Sequence, residues 1–522
     1  MISSTLLLIA VVLCLLFYVI SFLSQQVRPC RTIKKHGCLP PPSIRQRDPI
    51  FGLDTLLQLV RALQENRRNK SIRQLFSTYG HTFQSTSWLS STRIYTIEPK
   101  NLQAVFTADF SSWGVQPMRL FAFEPFVGKG IMGTDGSFWE HSRSLIKPTF
   151  TKANIADLHL AAYEVHVQHL LGLIPKNGAT VDLQPLFARL ALDASTEFLF
   201  GESVGSLSPR TVSKDAQSFL DAYNYGQMVV GRRLQMPKWN ILTRDKRFWG
   251  SCRIAHEFVD AYIAKGVRLC NNDKQNDGVQ TRAGPQPYVL AHELIKESGE
   301  SPEGIRNQLL NVFLPAHEAA GVALTNIFFN LARHPEVYAK LRQAILSAEV
   351  RDGTRWTFER LKSLRYLQYV ISETFRLNPA IGTNTRMALR DTVLPTGGGS
   401  PDGYGKSPVF VRKGSVITFS FYALHRRTDL FGEDANLFRP ERWASLRPAH
   451  WSYVTFGGGP RVCPGQQLAL TEVGYTIVKM LKAFERIENR DPVEEFVEVY
   501  KITTDSKNGT KVALIPSQEQ QE

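Results

Sequence analysis

The chain has 522 residues, 43% of them hydrophobic and 21% charged, a composition ordinary for a globular protein and a length that could hold one large domain or several. Its six cysteines are scattered and form no C-x-x-C pair, which argues against a disulfide scaffold or a zinc ribbon. The net charge of +15 would suit binding to nucleic acid, to an anionic membrane or to an acidic protein. No nucleic-acid-binding motif is present, so no nucleic-acid partner is expected. A solvated basic surface without a partner remains an alternative.

The first hydrophobic segment, residues 5–23, is an uncharged run of nineteen residues, close to the ~20 that cross a bilayer. No basic residue precedes it, whereas four basic residues follow between positions 28 and 35. The positive-inside rule therefore predicts a membrane anchor that leaves the remaining chain in the cytosol. Residues 1–4 would form a short lumenal N-terminus, and residues 24–45 a basic, proline-rich linker.

Residues 46–522 are predicted to form a single large domain, mainly α-helical with a small β portion. Apolar residues recur every three to four positions in Asn154–Ile174, as in an amphipathic helix. Ser301 and Pro302 are a good helix start, with a capping hydroxyl and a proline in the first turn. The helix that they begin, through about Asn330, is apolar on nearly every face and is expected in the middle of the core.

Strand patterns are fewer and come late in the chain. Val409–Leu424 alternates apolar and polar residues around a Lys-Gly turn, which predicts a hairpin. The glycine-rich Thr396–Pro408 leads into this strand and not into a helix, so it is expected to be a plain loop and not a dinucleotide-binding turn. Asn271–Pro287 is polar and interrupted by Gly and Pro, which predicts an exposed loop.

One cysteine stands out, because Cys463 lies between a glycine run and an apolar helical pattern, in FGGGPRVCPG. The run matches neither a phosphate loop nor a dinucleotide fingerprint. A loop of backbone amides and a following helix N-terminus would both lower the pKa of the thiol, and a thiolate held in this way suits axial ligation of haem iron. The alternative for a lone cysteine is a small buried apolar residue.

The spacing Phe456-x-x-Gly459-x-Arg461-x-Cys463-x-Gly465 resembles the haem-binding motif of the cytochrome P450 monooxygenases. The resemblance implies that Cys463 is the axial ligand of haem b iron, that Phe456 shields the sulfur and that Arg461 pairs with a haem propionate. Motifs of this family follow one another in order along essentially the whole chain.

Further motifs match the same family. The resemblance implies a structural charge triad of Glu373, Arg376 and Arg442, although a Glu and an Arg three residues apart are by themselves usually a surface ion pair. It also implies haem-propionate contacts for residues that otherwise suggest a surface cation–π pair or a strand arginine: Trp139, Arg143 and Arg386.

The helix that begins at Ser301 departs from the usual family pattern. Glu318 keeps the acid that relays protons to bound dioxygen, but Ala319 stands where the family usually has a threonine. Pro315 removes an amide and is expected to distort the helix. Ordered water alone could complete the relay, a hydroxyl or carboxylate of the substrate could do so, or the reaction could need no proton relay at all.

The resemblance is closest to fungal microsomal enzymes that hydroxylate alkanes and fatty acids and to their relatives in specialised metabolism. It implies an enzyme of the endoplasmic reticulum membrane with a cytosolic catalytic domain, using O2 and electrons delivered from NADPH by a separate diflavin reductase. The substrate is expected to be a lipophilic small molecule, in a pocket formed by aromatic and apolar residues: Phe121, Phe123, Phe313, His317, Ile381 and Thr383.

We expect tailoring of a fungal specialised metabolite. One alternative is a fatty-acid or alkane hydroxylase of primary metabolism. The other is a haem protein without oxygenation, serving rearrangement, electron transfer or sensing.

Overall fold

The computed structural model describes residues 31–48, 52–87, 90–208, 214–235, 245–275, 288–352 and 355–517. The predicted lumenal N-terminus and membrane anchor lie outside the described residues. Within them, one helix, Pro302–Arg333, has the length and apolar composition of a membrane span, but 78% of its most apolar window is buried inside the protein. That burial is typical of a core helix.

The described residues are mainly helical, as the sequence predicts, and the β portion is smaller. The helices are α1 (Leu53–Gln64), α2 (Arg68–Tyr79), α3 (Pro99–Gln103), α4 (Gln116–Val127), α5 (Gly136–Ile146), α6 (Lys152–Ile155), α7 (Asp157–Leu173), α8 (Leu183–Phe200), α9 (Lys214–Gln235), α10 (Lys246–Gln275), α11 (Leu290–Glu297), α12 (Pro302–Arg333), α13 (Pro335–Asp352), α14 (Phe358–Ser363), α15 (Arg365–Leu377), α16 (Phe421–Leu424), α17 (Thr428–Phe431) and α18 (Gln466–Ala483). The strands are β1 (Thr82–Ser87), β2 (Ser90–Thr96), β3 (Trp113–Gly114), β4 (Val181–Asp182), β5 (Thr383–Ala388), β6 (Thr392–Gly398), β7 (Ser407–Val411), β8 (Val416–Ser420), β9 (Phe484–Asn489), β10 (Glu498–Tyr500), β11 (Thr504–Ser506) and β12 (Lys511–Pro516).

The described chain divides into two compact units, where the sequence predicts one large domain. The first unit comprises residues up to 60, 69–114 and 383–424, and the second comprises residues 61–68, 115–382 and 425 onward. Each unit is assembled from segments far apart in the chain, so no stretch of linker composition marks a boundary between them.

The first unit contains a five-stranded sheet in the order β1-β2-β8-β5-β3 and a separate β6-β7 pair. The predicted hairpin over Val409–Leu424 is therefore wrong. β7 pairs with β6, whereas β8 pairs with β2 in parallel and with β5 in antiparallel register. The Lys-Gly turn is present, with Gly414 at φ +83°, but the two strands that it joins enter different sheets.

Part of the predicted linker belongs to this first unit. Cys38 is buried. The Leu39 amide donates to the Pro408 carbonyl at 2.9 Å, and the Ile44 amide donates to the Gln84 carbonyl at 2.8 Å. Residues 38–44 are thus packed against the body of the unit, because their backbone groups pair with its strands.

The second unit holds the hydrophobic core, with α12 at its centre. Ser301 caps the helix by accepting a hydrogen bond from the Gly304 amide at 3.1 Å, as the sequence predicts, and the helix continues to Arg333. At Gly321 a side chain would meet the Phe187 carbonyl oxygen of α8 at 2.9 Å, so glycine permits the close packing of α8 on α12.

Beyond its first turns, α12 is buried except at its last residue and in a short stretch in its middle, where Glu318 is among the partly exposed residues. Residues 308–314 and 320–332 are buried throughout, whereas Pro315 is exposed and Ala316 and Ala319 are partly exposed. These three residues share one face of the helix, which remains α-helical through Pro315. The position of the predicted oxygen-activation motif is therefore an accessible part of an otherwise buried stretch of α12.

Candidate active site

Cys463 lies in a tight loop directly before α18. Its amide donates to the Phe456 carbonyl at 2.9 Å and so closes the loop. Gly457 and Gly459 adopt left-handed conformations, with φ +73° and +64°, and a side chain at Gly458 would collide with the Trp451 ring at 2.3 Å. The glycine run thus turns the chain and packs it on Trp451, and it presents the sulfur at the start of the helix.

The thiol of Cys463 is free and exposed, but the surrounding protein desolvates it. Desolvation raises its pKa and outweighs the lowering effects of the Gly465 amide and of Arg143. The expectation of a net lowered pKa from loop and helix alone is therefore wrong for the protein chain. A coordinating metal ion deprotonates a thiol outright, so the thiolate would depend on the iron, with the Gly465 amide and Arg143 as support.

Two arginines and a tryptophan lie beside the cysteine loop. Arg143 donates to the Val462 carbonyl at 3.0 Å. The guanidinium carbon of Arg461 lies 4.4 Å from the Trp139 ring centroid, and that of Arg143 lies 5.8 Å from it. Trp139 is buried, and burial lowers the pKa of both arginines, that of Arg461 to about 10.

Asp135, which the sequence gave no reason to single out, holds Arg461 in place. Its carboxylate pairs with Nη2 of Arg461 at 2.7 Å and accepts hydrogen bonds from the amides of Val115 and Gln116. The same Nη2 also donates to the Thr134 carbonyl at 2.6 Å. Nε of Arg461 is buried and has no hydrogen-bond partner among the described residues.

These observations fit a thiolate-ligated haem. Cys463 offers an accessible sulfur, and Arg143, Arg461 and the Trp139 indole offer donors suited to carboxylates such as the propionates. The unpartnered Nε of Arg461 is a donor for which a propionate would supply the acceptor. Bound there, the haem would supply the oxidising chemistry, with electron density from the thiolate favouring O–O bond cleavage.

The predicted charge triad comes together in the core of the second unit. Oε1 of Glu373 accepts from Nη2 of Arg376 at 2.9 Å and from Nε of Arg442 at 2.8 Å, and the side chains of Glu373 and Arg376 have no exposed surface. Trp443 donates its indole N–H to Glu373 at 3.0 Å, and Asp434 pairs with Arg442 at 2.9 Å. The two buried guanidinium groups thus each have a carboxylate partner, Asp434 also pairs with Arg439 at 2.7 Å, and no motif indicated Asp434 or Trp443.

Arg386 lies on β5, as predicted, within the first unit. Its Nη1 donates to Asn384 and to the Thr385 carbonyl, both at 2.8 Å, and its guanidinium lies 4.7 Å from the Phe106 ring centroid. Thr383 is buried on the same strand. The haem contact of Arg386 and the pocket role of Thr383 stay predictions.

The remaining predicted pocket residues lie in the second unit. Phe123, Phe313 and His317 are buried, Phe313 with no exposed surface, and their pocket role stays a prediction. Phe121 and Ile381 are partly exposed. The accessible face of α12 is formed instead by small residues, because the aromatic side chains of neighbouring turns point into the core.

Comparison with known proteins agrees with this site. The family model described as Cytochrome P450 matches residues 42–509. The chain belongs to the cytochrome P450 family. It is 37% identical to Cytochrome P450 monooxygenase iccC of Talaromyces variabilis, covering 95% of this chain and 96% of that protein. It is 36% identical to Cytochrome P450 monooxygenase himC of Aspergillus japonicus (92% and 84%) and 34% identical to Cytochrome P450 52A13 of Debaryomyces hansenii (90% of each).

The family assignment and the enzyme class predicted from the sequence are thereby confirmed. This P450 is an oxidoreductase of the monooxygenase type, which implies a haem-thiolate centre, a redox partner, O2 and a substrate.

We expect Arg461→Gln to weaken haem retention by roughly tenfold, because one charge-assisted hydrogen bond to a propionate contributes ~1.5–3 kcal/mol. The measurement is haem bound per protein after dilution. Asp135→Asn is the matched control, since it weakens the ion pair with Arg461 but leaves the guanidinium available. Equal haem loss in both variants would mean that the ion pair between Arg461 and Asp135, and not a contact of Arg461 with a propionate, accounts for the effect.

Proposed function

We propose that this chain is a membrane-anchored, haem-dependent monooxygenase that oxidises a lipophilic small molecule with O2 and electrons from an NADPH-dependent diflavin reductase. The observation that carries the proposal is the accessible thiol of Cys463, bordered by Arg143, Trp139 and Arg461. The product is a tailored fungal specialised metabolite. The enzyme resides in the endoplasmic reticulum membrane, held by residues 5–23, with residues 46–522 in the cytosol.

The chain contributes binding, orientation and proton supply. Cys463 would ligate the iron, and Arg143, Arg461, Arg386 and Trp139 would hold the propionates. Glu318, on α12 beside the accessible face, holds the proton that oxygen activation consumes.

A fatty-acid hydroxylase is the second candidate, since Lys501 is a partly exposed cation close to Glu318 and could bind a carboxylate. However, Nζ of Lys501 lies 3.8 Å from Glu318 and 3.6 Å from Asp505. Lys501 already lies beside two carboxyl groups of the protein and is not an isolated cation for a substrate carboxylate. This pairing therefore favours a substrate without a carboxylate.

The test is expression with a diflavin reductase, followed by assay of the microsomes. We expect NADPH oxidation that depends on an added lipophilic substrate, and the loss of one metabolite after deletion of the gene. Fatty acid as the preferred substrate would support the second candidate. NADPH oxidation without oxygenated product would support a non-oxygenating haem protein, and activity in the soluble fraction would contradict the anchor.

Ala319→Thr is expected to change product formed per NADPH consumed by less than about twofold, because water or substrate completes the relay next to Glu318. Ala316→Thr, on the same accessible face, controls for the added bulk. A large improvement in Ala319→Thr alone would show that the missing hydroxyl limits proton delivery.

A further inference from the structure

Glu318, which is partly exposed, belongs to a series of three hydrogen-bonded side chains that joins α9 to α12, and the other two are buried. Nδ1 of His317 is 3.1 Å from the Phe313 carbonyl oxygen, and Nε2 of His317 is 3.0 Å from Oε1 of Gln227. Nε2 of Gln227 donates to Oε2 of Glu318 at 2.5 Å. Gln227 and His317 are buried, and no sequence motif indicated Gln227.

The three side chains have mostly aromatic surroundings near His317 and charged surroundings near Glu318. The rings of Tyr223 and Phe313 each lie 5.0 Å from that of His317. Lys501 faces Glu318 and is itself paired with Asp505. Burial lowers the pKa of His317 by more than the adjacent Glu318 raises it, so an extra proton on the ring depends on the hydrogen bonds for its stabilisation.

The hydrogen bonds restrict how many protons the three side chains hold. A carbonyl oxygen only accepts, so Nδ1 of His317 donates to Phe313. In the orientation that the structure gives Gln227, its amide oxygen faces Nε2 of His317, so Nε2 must carry a proton in addition to the one on Nδ1. The amide NH2 then donates to an ionised Glu318 carboxylate. With the amide turned over, its NH2 would donate to a neutral His317, and its oxygen would need a protonated Glu318.

Both arrangements contain one proton more than a neutral histidine and an ionised glutamate. Without that proton, two acceptors would face each other at a buried site, and a buried polar group without a partner is destabilising. The amide of Gln227 therefore links the protonation of His317 to that of Glu318.

We propose that Gln227 is a positioning residue that fixes the Glu318 carboxyl and holds it with His317 as one unit carrying a single shared proton. The unit itself follows from the hydrogen bonds. Only its use, the supply of a proton through Glu318 during oxygen activation, rests on the proposed function.

The protonation test needs no turnover. In the reduced, CO-bound holoenzyme at neutral pH, NMR of ¹³C-labelled histidine reports whether His317 is doubly protonated, and infrared spectroscopy reports the C=O stretch of a protonated Glu318. His317→Gln and Glu318→Gln assign the two signals. The wild type is expected to show one proton beyond those of a neutral His317 and an ionised Glu318, either on the His317 ring or on the Glu318 carboxyl. A neutral His317 together with an ionised Glu318 would overturn the proposal, whatever the fate of the variants.

Gln227→Leu removes both hydrogen bonds at nearly constant volume. We expect the shared proton to be lost and product formed per NADPH to fall roughly ten- to hundredfold, the factor that corresponds to losing a hydrogen bond to a charged group. Gln217→Leu is the matched control, since Gln217 lies exposed on the same helix and binds only Asp221 among the described residues. Retention of the shared proton in Gln227→Leu would also overturn the proposal.

The two measurements separate this inference from the proposed function. If the proton is shared in the wild type and lost in Gln227→Leu while product per NADPH is unchanged, the unit stands and the assigned role of Glu318 in oxygen activation is wrong.

Discussion

Replacing Glu373 by alanine is expected to lower the free energy of unfolding by ~3–5 kcal/mol, because the change leaves two buried guanidinium groups without their shared carboxylate. Glu373 accepts hydrogen bonds from Arg376, Arg442, the Trp443 indole and the Arg439 amide, at 2.8–3.0 Å. A domain is typically stable by only ~5–15 kcal/mol, so the loss is a large share of the total.

The consequence extends to the segment between α16 and α18. Arg376 also donates to the carbonyls of His425, Ala435 and Leu437, and Arg442 donates to those of Phe431 and Asp434. Four of these carbonyls lie outside the helices and strands and the fifth, that of Phe431, ends α17, so the two guanidinium groups satisfy backbone acceptors that no strand or helix pairs. Glu373→Ala should therefore loosen residues 425–442 first.

The measurement is the midpoint of thermal unfolding at a fixed scan rate, together with protease susceptibility of residues 425–442. Glu441→Ala is the matched control, since its half-exposed carboxylate pairs with Lys340 and Tyr366 at 2.7 Å and should contribute ~0–1 kcal/mol. Equal midpoints for Glu373→Ala and wild type would contradict the structural role of the triad.

The sequence predicted those features that depend on neighbouring residues. Ser301 and Pro302 predicted the start of α12, because a cap and a first-turn proline act within one turn. The glycines before Cys463 predicted a loop that presents a thiol, because left-handed conformations and a helix N-terminus are local properties. The family motif predicted the cofactor.

Features that depend on distant partners were predicted less well. β7 and β8 are adjacent in the chain and joined by a tight turn, but β8 pairs with β2, more than three hundred residues earlier. The spacing of Glu373 and Arg376 suggests a surface pair, and only Arg442 and the surrounding carbonyls explain its complete burial. Gln227 and Asp135 bind functional residues through tertiary contacts that leave no spacing pattern.

The sign of a pKa shift is also set by tertiary structure. The loop and the helix start favour a lowered pKa for Cys463, and that local effect is present in the Gly465 amide, with a further lowering from Arg143 on α5. Desolvation is nevertheless the larger effect, and it depends on how closely the rest of the protein surrounds the sulfur. A local sequence pattern therefore does not predict how strongly Cys463 is desolvated.

Cys463→Ala is expected to abolish both turnover and the thiolate-type spectrum of the reduced, CO-bound protein, because the substitution removes the axial ligand. Its effect on protein packing should be small, since the Cys463 side chain is exposed and its removal leaves no cavity in the core. The measurements are the CO difference spectrum and product formation, with thermal unfolding as the check on the fold.

Cys252→Ala is the matched control, because the substitution is the same and the surroundings differ. Cys252 is buried in α10, and burial raises the pKa of its thiol to about 12, so it remains an uncharged packing residue. Its replacement should cost ~1 kcal/mol of stability and leave the spectrum and the turnover intact. Comparing the two variants thus separates the effect of losing a buried thiol on stability from the effect of losing the haem ligand on activity. A wild-type spectrum in Cys463→Ala would refute the assignment of the ligand, and loss of the spectrum in both variants would show that it reports folding alone.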